Sequence, residues 1–445
     1  MKKHLSLAAA LVLLLSVTGC AANESSALNG GAAGTKGDGF SSVDIGGRPA
    51  GGFKGDVDAV YDMATGGLGG MTGAPEAADG FVGDLMATDP SVAKPIAPGG
   101  DITETPQIPP QSGLLTGGEW NDNAHWSDWK ALYDSHSDWN GYKSDWRIKA
   151  VNRLAVKVEN EKGEPVEGAE VTVSNWMKAV TDNKGMAYLF GEGAPSELSV
   201  TGNGGLSVGK NWDRPNTDDY NDTTETVVLD GASSTISKKL DLMIMCDTTG
   251  SMSDELEYLK EELSSIIKKI KSDNSNIPTR VSVNFYRDEG DEYIVRQFPF
   301  SSNIDDSVKA IGEQSADGGG DFPEAVHTAL DSAINNHDWS EDSVKIMFLV
   351  LDAPPHSDAQ IVDSVNSYVK KAAEIGIRII PIASSGIDKS TEYLLRTMAF
   401  TTGGTYTFLT NDSGIGGEHI EPTVGAFNVE KLSDMMVRIV NSYLE

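Results

Sequence analysis

Asp247, Thr249 and Ser251 stand two residues apart in the stretch LMIMCDTTGSMSDEL, where an apolar run gives way to the start of a helix. The spacing D-x-T-x-S lets one carboxylate and two hydroxyl oxygens converge on a point. Hard oxygen donors of this kind suit Mg²⁺, Mn²⁺ or Ca²⁺. Further oxygens stand at other strand ends. Asp352 closes the apolar run IMFLVLD, and Asp321 lies in DGGGDFPEA, where glycines permit close backbone approach and Pro323 suits the first position of a helix. Ligands of open parallel sheets bind at the carboxyl ends of strands, so Asp247, Thr249, Ser251, Asp321 and Asp352 are expected on one rim.

Other chemistries fit these residues less well. DTTGS has a superficial likeness to the D-T-G-S of aspartic proteases, but a long amphipathic pattern follows it and the chain holds no second D-T-G. The residue two before Ser251 is Thr249, so the G-x-S-x-G elbow is missing, and DGGGD has no phosphate-loop lysine. Helix capping explains one of the three opening residues, yet not the arrival of Asp321 and Asp352 at the same edge. His327, His356 and His419 assemble no Ser–His–Asp set, although His356 falls near the rim in APPHS. The chain is therefore expected not to be an enzyme.

The elements that must position this rim fill residues 238–445. LDLMIMCD and VKIMFLVLD are continuous apolar runs, as strands buried on both faces require. A helix over 253–271 carries Leu256, Leu259, Leu263, Ile266, Ile267 and Ile270 on one stripe, with acids in its first turn and lysines in its last. RVSVNFYRD, an edge strand EYIVRQFPF, a helix near 304–313, a helix from Pro323, a helix from Asp358 that stops before Gly376, IRIIPIAS, a helix near 389–400, TYTFLT and a helix near 428–444 follow. Such alternation predicts an α/β domain with a doubly wound, mostly parallel sheet.

DTTGSM, GGGDFPEA and a strand ending in Asp352 resemble the von Willebrand factor type A domain and its metal-ion-dependent adhesion site. The resemblance covers 238–445. It implies that Thr249 and Ser251 bind a cation directly and that Asp247 and Asp352 act directly or through water. Many members carry a threonine where this chain has Gly320–Asp321, so Asp321 is the implied replacement, and the site is more anionic than usual.

The chain before this domain has a different character. Lys2 and Lys3 precede an apolar run from Leu5 to Val17 that ends in VTGC, too short for a membrane span. This resembles a bacterial lipoprotein signal, with residues 1–19 removed and Cys20 lipidated, though Val17 stands where leucine is usual. Cys246, the other cysteine, sits in an apolar run and is expected as a small buried hydrophobe. Residues 20–112 are rich in Gly, Ala, Ser, Asp and Pro without periodicity, and cannot bury enough apolar surface to offset chain entropy. A disordered tether is expected there. Residues 113–148 hold Trp120, Trp126, Trp129, Trp139 and Trp146, either as a latch packed on the next domain or as a sugar-stacking platform. Residues 149–235 alternate as strands, and GEPVEGAEV followed by TDNKG resembles small β-sandwich modules of the prealbumin or carboxypeptidase-regulatory type.

The 66 acidic against 35 basic residues give a net charge of −31, which disfavours nucleic acid and anionic headgroups. The expected protein is lipid-anchored on a bacterial membrane, outside the cytoplasm. Its distal domain would bind a protein or envelope polymer through a divalent cation, Mg²⁺ before Ca²⁺ or Mn²⁺. An envelope-complex scaffold with a structural ion, or carbohydrate binding through the tryptophan segment, are the alternatives.

Overall fold

The computed structural model describes residues 109–148, 152–174, 176–193, 195–202, 204–211, 223–234 and 239–445. The expectations for the signal at 1–19, for Cys20 and for the tether as far as residue 108 lie outside them.

The tryptophan segment forms β1 (Thr116–Trp120), α1 (Trp126–Ser135) and α2 (Trp139–Asp145). Its five indoles are at most 6% exposed and share a core with Tyr393 and Phe400. Trp129 lies edge-on to Phe400 with ring centroids 5.0 Å apart. These five rings are packing groups.

The next module has two sheets. One pairs β2 (Asn152–Glu159) with β5 (Met186–Gly191) and β8 (Thr224–Val228). The other orders β4 (Lys178–Val180), β3 (Glu170–Val173), β6 (Glu197–Thr201) and β7 (Ser207–Asn211). Alternate residues of both, among them Val156, Val158, Val171, Leu189 and Val200, close a single apolar core between them.

The C-terminal part contains β9 (Leu240–Asp247), α3 (Leu256–Asp273), β10 (Thr279–Tyr286), β11 (Val295–Arg296), α4 (Ile304–Gly312), α5 (Val326–Asn335), β12 (Val344–Leu351), α6 (Ala359–Glu374), β13 (Ile377–Ala383), α7 (Lys389–Thr402), β14 (Tyr406–Leu409), β15 (Glu430–Lys431) and α8 (Leu432–Ser442). Its sheet runs β11-β10-β9-β12-β13-β14-β1-β15. The five strands from β10 to β14 are parallel, and the flanking strands are antiparallel. Helices α3, α4 and α8 cover one face, and α5, α6 and α7 the other. From β9 the chain moves outward through β10 and returns on the opposite side at β12. The crevice between the carboxyl ends of β9 and β12 is therefore the switch point of the sheet.

Four details differ from the sequence reading. A 3₁₀ turn over Gly250–Asp254 precedes α3, which begins at Leu256. The edge strand shrinks to Val295–Arg296. Helix α5 begins at Val326, because Glu324 stays extended and bridges Pro355 in parallel fashion. Finally, β1 inserts between β14 and β15, so the α/β sheet is completed by a strand from before the β module. The carboxylate of Glu262 on α3 secures that entry by accepting the backbone N–H groups of Gly113, Leu114 and Leu115 at 2.6, 3.0 and 3.2 Å. Among the described residues no helix is long and apolar enough to cross a membrane.

Candidate functional site

Every residue of β9 is buried, so its last side chain, Asp247, is carried to the sheet edge without exposure. Asp247 Oδ1 accepts the backbone N–H of Thr249 at 2.8 Å and its hydroxyl at 2.7 Å. Thr249 Oγ1 lies 3.1 Å from Ser251 Oγ. Adjacent ligands of an octahedral Mg²⁺ at its usual bond length sit about 3 Å apart, so the two hydroxyls already have the spacing of one edge of such a shell. The other oxygen, Asp247 Oδ2, is buried with no hydrogen bond of ordinary geometry, and the buried Tyr286 hydroxyl is the neighbour that favours its charged form.

Asp352 follows β12 across the crevice and is 4% exposed; its Oδ1 is likewise buried and unpartnered. Asp247 and Asp352 share a cause for their behaviour. Burial raises both carboxyls above the usual range, the charge of Asp247 adds to the shift at Asp352, and the hydroxyls of Thr249 and Ser251 oppose it at their neighbours.

A third acid escaped the sequence reading. Glu324 is 2% exposed, and its Oε2 is buried without a partner. Burial pushes its carboxyl up to about 9, with Asp247, Asp288, Asp352 and Asp291 adding to the effect. Its backbone N–H donates to Pro354 O at 2.8 Å, which binds the glycine-rich loop to the Asp352 loop. The first loop is tied to the same glycines, since Gly250 N–H donates to Gly318 O at 3.1 Å and Asp317 N–H to Thr248 O at 3.1 Å. Gly319 has φ +70°, and a Cβ there would stand 2.9 Å from Glu324 Oε1 and 3.3 Å from Thr249 Cβ. A side chain there would crowd both groups at a positive φ, which suits glycine.

Asp321 is exposed and lines the mouth of the same cleft, of about 420 Å³, together with Ser251, Glu324 and Asp352. All five residues expected on the rim thus lie at this sheet edge, with Asp321 outermost. The histidines form acid pairs around it. His419 Nε2 is 2.8 Å from the buried carboxylate of Glu255, His356 Nε2 is 2.9 Å from Asp288, and His327 Nε2 is 3.6 Å from Glu289. Cys246 is fully buried, and burial raises its thiol well above the ordinary value.

The chemistry suits a hard cation. Unpartnered buried carboxylate oxygens of Asp247, Asp352 and Glu324 lie at one sheet edge beside two hydroxyls, and such groups are costly to ionise without a counter-ion. Among the described residues no three His, Cys, Asp or Glu side chains are grouped to hold a metal by themselves. The Thr249 and Ser251 hydroxyls would hold such an ion together with the Asp247 and Asp352 carboxylates, directly or through water.

Residues 241–420 match the family model described as the von Willebrand factor A domain. The chain is 36% identical over 128 residues to an ariadne-like RING finger protein of Acanthamoeba polyphaga mimivirus, covering 28% of this chain and 12% of that one. It is 23% identical over 178 residues to the alpha-protein kinase vwkA of Dictyostelium discoideum, covering 40% of this chain and 28% of that one. The chain thus spans 12% and 28% of the lengths of these two curated relatives. A crystal structure of the conserved hypothetical protein BatB from Bacteroides thetaiotaomicron matches at a TM-score of 0.33 and 12% identity, covering 46% of this chain and 98% of that one.

Proposed function

We propose that the von Willebrand factor A domain formed by residues 241–420 binds a protein or envelope polymer through a divalent cation, Mg²⁺ before Ca²⁺ or Mn²⁺, held by Thr249, Ser251, Asp247 and Asp352. Such domains commonly mediate protein–protein interaction, which is the coarser role this part of the chain shares. The observation that carries the finer reading is the set of buried carboxylate oxygens of Asp247 and Asp352 with no hydrogen-bond partner, placed beside paired hydroxyls at the switch point. Ionising a buried carboxyl without a partner costs several kcal/mol, roughly, and a divalent ion would offset that cost at both residues.

A bound cation would supply an electrophilic position for an oxygen of the partner. The protein's own residues set where that position lies. Thr249 is locked by Asp247, and Ser251 sits on the 3₁₀ turn facing the open cleft. Asp321 at the mouth stands where it could join the shell or the rim. No catalytic step is assigned to these residues. The anchoring of the chain at Cys20, with the domain displayed outside the cytoplasm, completes the proposal and rests on the signal-like residues 1–20.

Calorimetric titration of the full chain with Mg²⁺ tests the site. Wild type is expected to take up one ion, and Asp247→Ala to bind about 100-fold more weakly or not at all. Equal uptake by the two proteins would remove Asp247 from the site and the proposal with it.

A further inference from the structure

We infer that the cleft between the β module and helices α6 and α7 is a binding site for an aliphatic chain, the acyl chain of a lipid or of a fatty acid. It shares no lining residue with the ion cleft, so it does not depend on the ion reading. The cleft has a volume of about 420 Å³. Each helix lends it a stripe along one face, Asp363, Asn366 and Lys370 from α6 and Leu394, Met398 and Thr401 from α7. From the first to the last residue of each stripe the helix rises about 10 Å, so the cleft is an elongated slot. Its depth is apolar: Ile148, Met177, Phe190, Val369, Leu394 and Met398 are at most 6% exposed. Protein interiors pack as densely as organic crystals, so a space of this size among buried apolar side chains is fit for a ligand, and ligand sites favour such junctions between modules.

The wall asks little of a ligand by way of hydrogen bonds. Asn366 Nδ2 donates to Trp146 O at 2.9 Å and to Val362 O at 3.0 Å, and Thr397 Oγ1 donates to Tyr393 O at 2.9 Å. A chain of methylenes suits such a wall, each one removed from water adding to affinity. Met177 and Met398 are unbranched and flexible, so the slot adapts to the kinks of a chain. The mouth is exposed and carries both signs of charge. Arg147 Nε lies 3.0 Å from Asp363 Oδ1, and Glu192 and Lys370 are exposed lining residues. These charges balance, so a polar head left at the mouth is not selected by its sign, and burial of the chain sets the affinity.

The test is calorimetry of the full chain in EDTA, with laurate and with lauroyl lysophosphatidylethanolamine below their micelle concentrations; the two arms separate free acid from lipid. Uptake of at least one of them is expected. Ser367→Trp puts a large ring on an exposed lining residue and should weaken uptake about tenfold or more, whereas Lys371→Trp, exposed on the same helix and outside the slot, should bind as wild type does. Location is read separately. Brominated laurate should quench indole emission in wild type, and much of that quenching should vanish in Trp176→Phe, since Trp176 lines the slot. Uptake of neither amphiphile, equal uptake by Ser367→Trp and wild type, or quenching unchanged in Trp176→Phe would each overturn the inference, as would tighter binding of the rigid ring of naphthoate.

Discussion

Asp247, Asp352 and Glu324 are held in the native state at raised pKa, chiefly by burial. An acid whose folded pKa exceeds its unfolded value binds its proton longer when folded, so its stabilising effect at low pH is lost as pH rises through the gap. For Glu324 that gap runs from 4.5 to about 9. In EDTA, the melting temperature of the full chain should therefore fall by several degrees across this window, and added Mg²⁺ should flatten the slope. A melting temperature that rises with pH in EDTA would contradict the assignment. Gly319 gives a second check. Gly319→Ala must place a Cβ against Glu324 and Thr249 at φ +70°, so it should cost about 1–2 kcal/mol in denaturant unfolding and weaken Mg²⁺ binding as well. The D-x-T-x-S spacing and Asp352 were legible in sequence, because a long apolar run that ends in an acid announces a strand end. Glu324 was not. A helix from Pro323 would have turned it into an ordinary first-turn acid, and only the bridge to Pro355, distant in sequence, keeps the backbone extended and the side chain inward.

The parallel strands and the helices that separate them followed from burial on both faces and from apolar stripes, and their bounds moved by a few residues at most where the stripe was clear, as in α3 and α6. Elements whose partners lie far along the chain were hidden. Strand β1 is TGGEW, with no alternation to betray it, and it is a strand because β14 and β15 flank it. The turn between β1 and α1 is joined to α7 by a buried ion pair, in which Arg396 Nη2 lies 2.6 Å from Asp122 Oδ1, and the guanidinium lies 4.9 Å from the Trp129 ring of α1. Removing Asp122 takes away the two shortest charge-assisted bonds of a buried guanidinium and leaves it only Glu392, at 3.4 Å, as a counter-charge, so Asp122→Ala should cost about 2–4 kcal/mol. Trp129→Ala should cost about the same by opening a cavity against Phe400 and Tyr393. Both are read as shifts in urea midpoint; a change below about 1 kcal/mol in either would mean that the tryptophan segment is not integral to the α/β core.

At the scale of the whole molecule, the net charge of −31 disfavours nucleic acid and anionic surfaces as partners. Where the chain resides follows from a different part of it. If Cys20 is acylated, radiolabelled palmitate should mark the wild-type protein and not Cys20→Ala, and only the wild type should sediment with membranes; label retained in the variant would count against the anchor. The account as a whole depends on a cation settling between Thr249 and Ser251. Anomalous diffraction from crystals soaked in Mn²⁺ answers this most directly. The account predicts a peak in the crevice between β9 and β12, bonded at about 2 Å to both hydroxyls with the Asp247 and Asp352 carboxylates beside it. A saturating soak that leaves this crevice without a peak would contradict it.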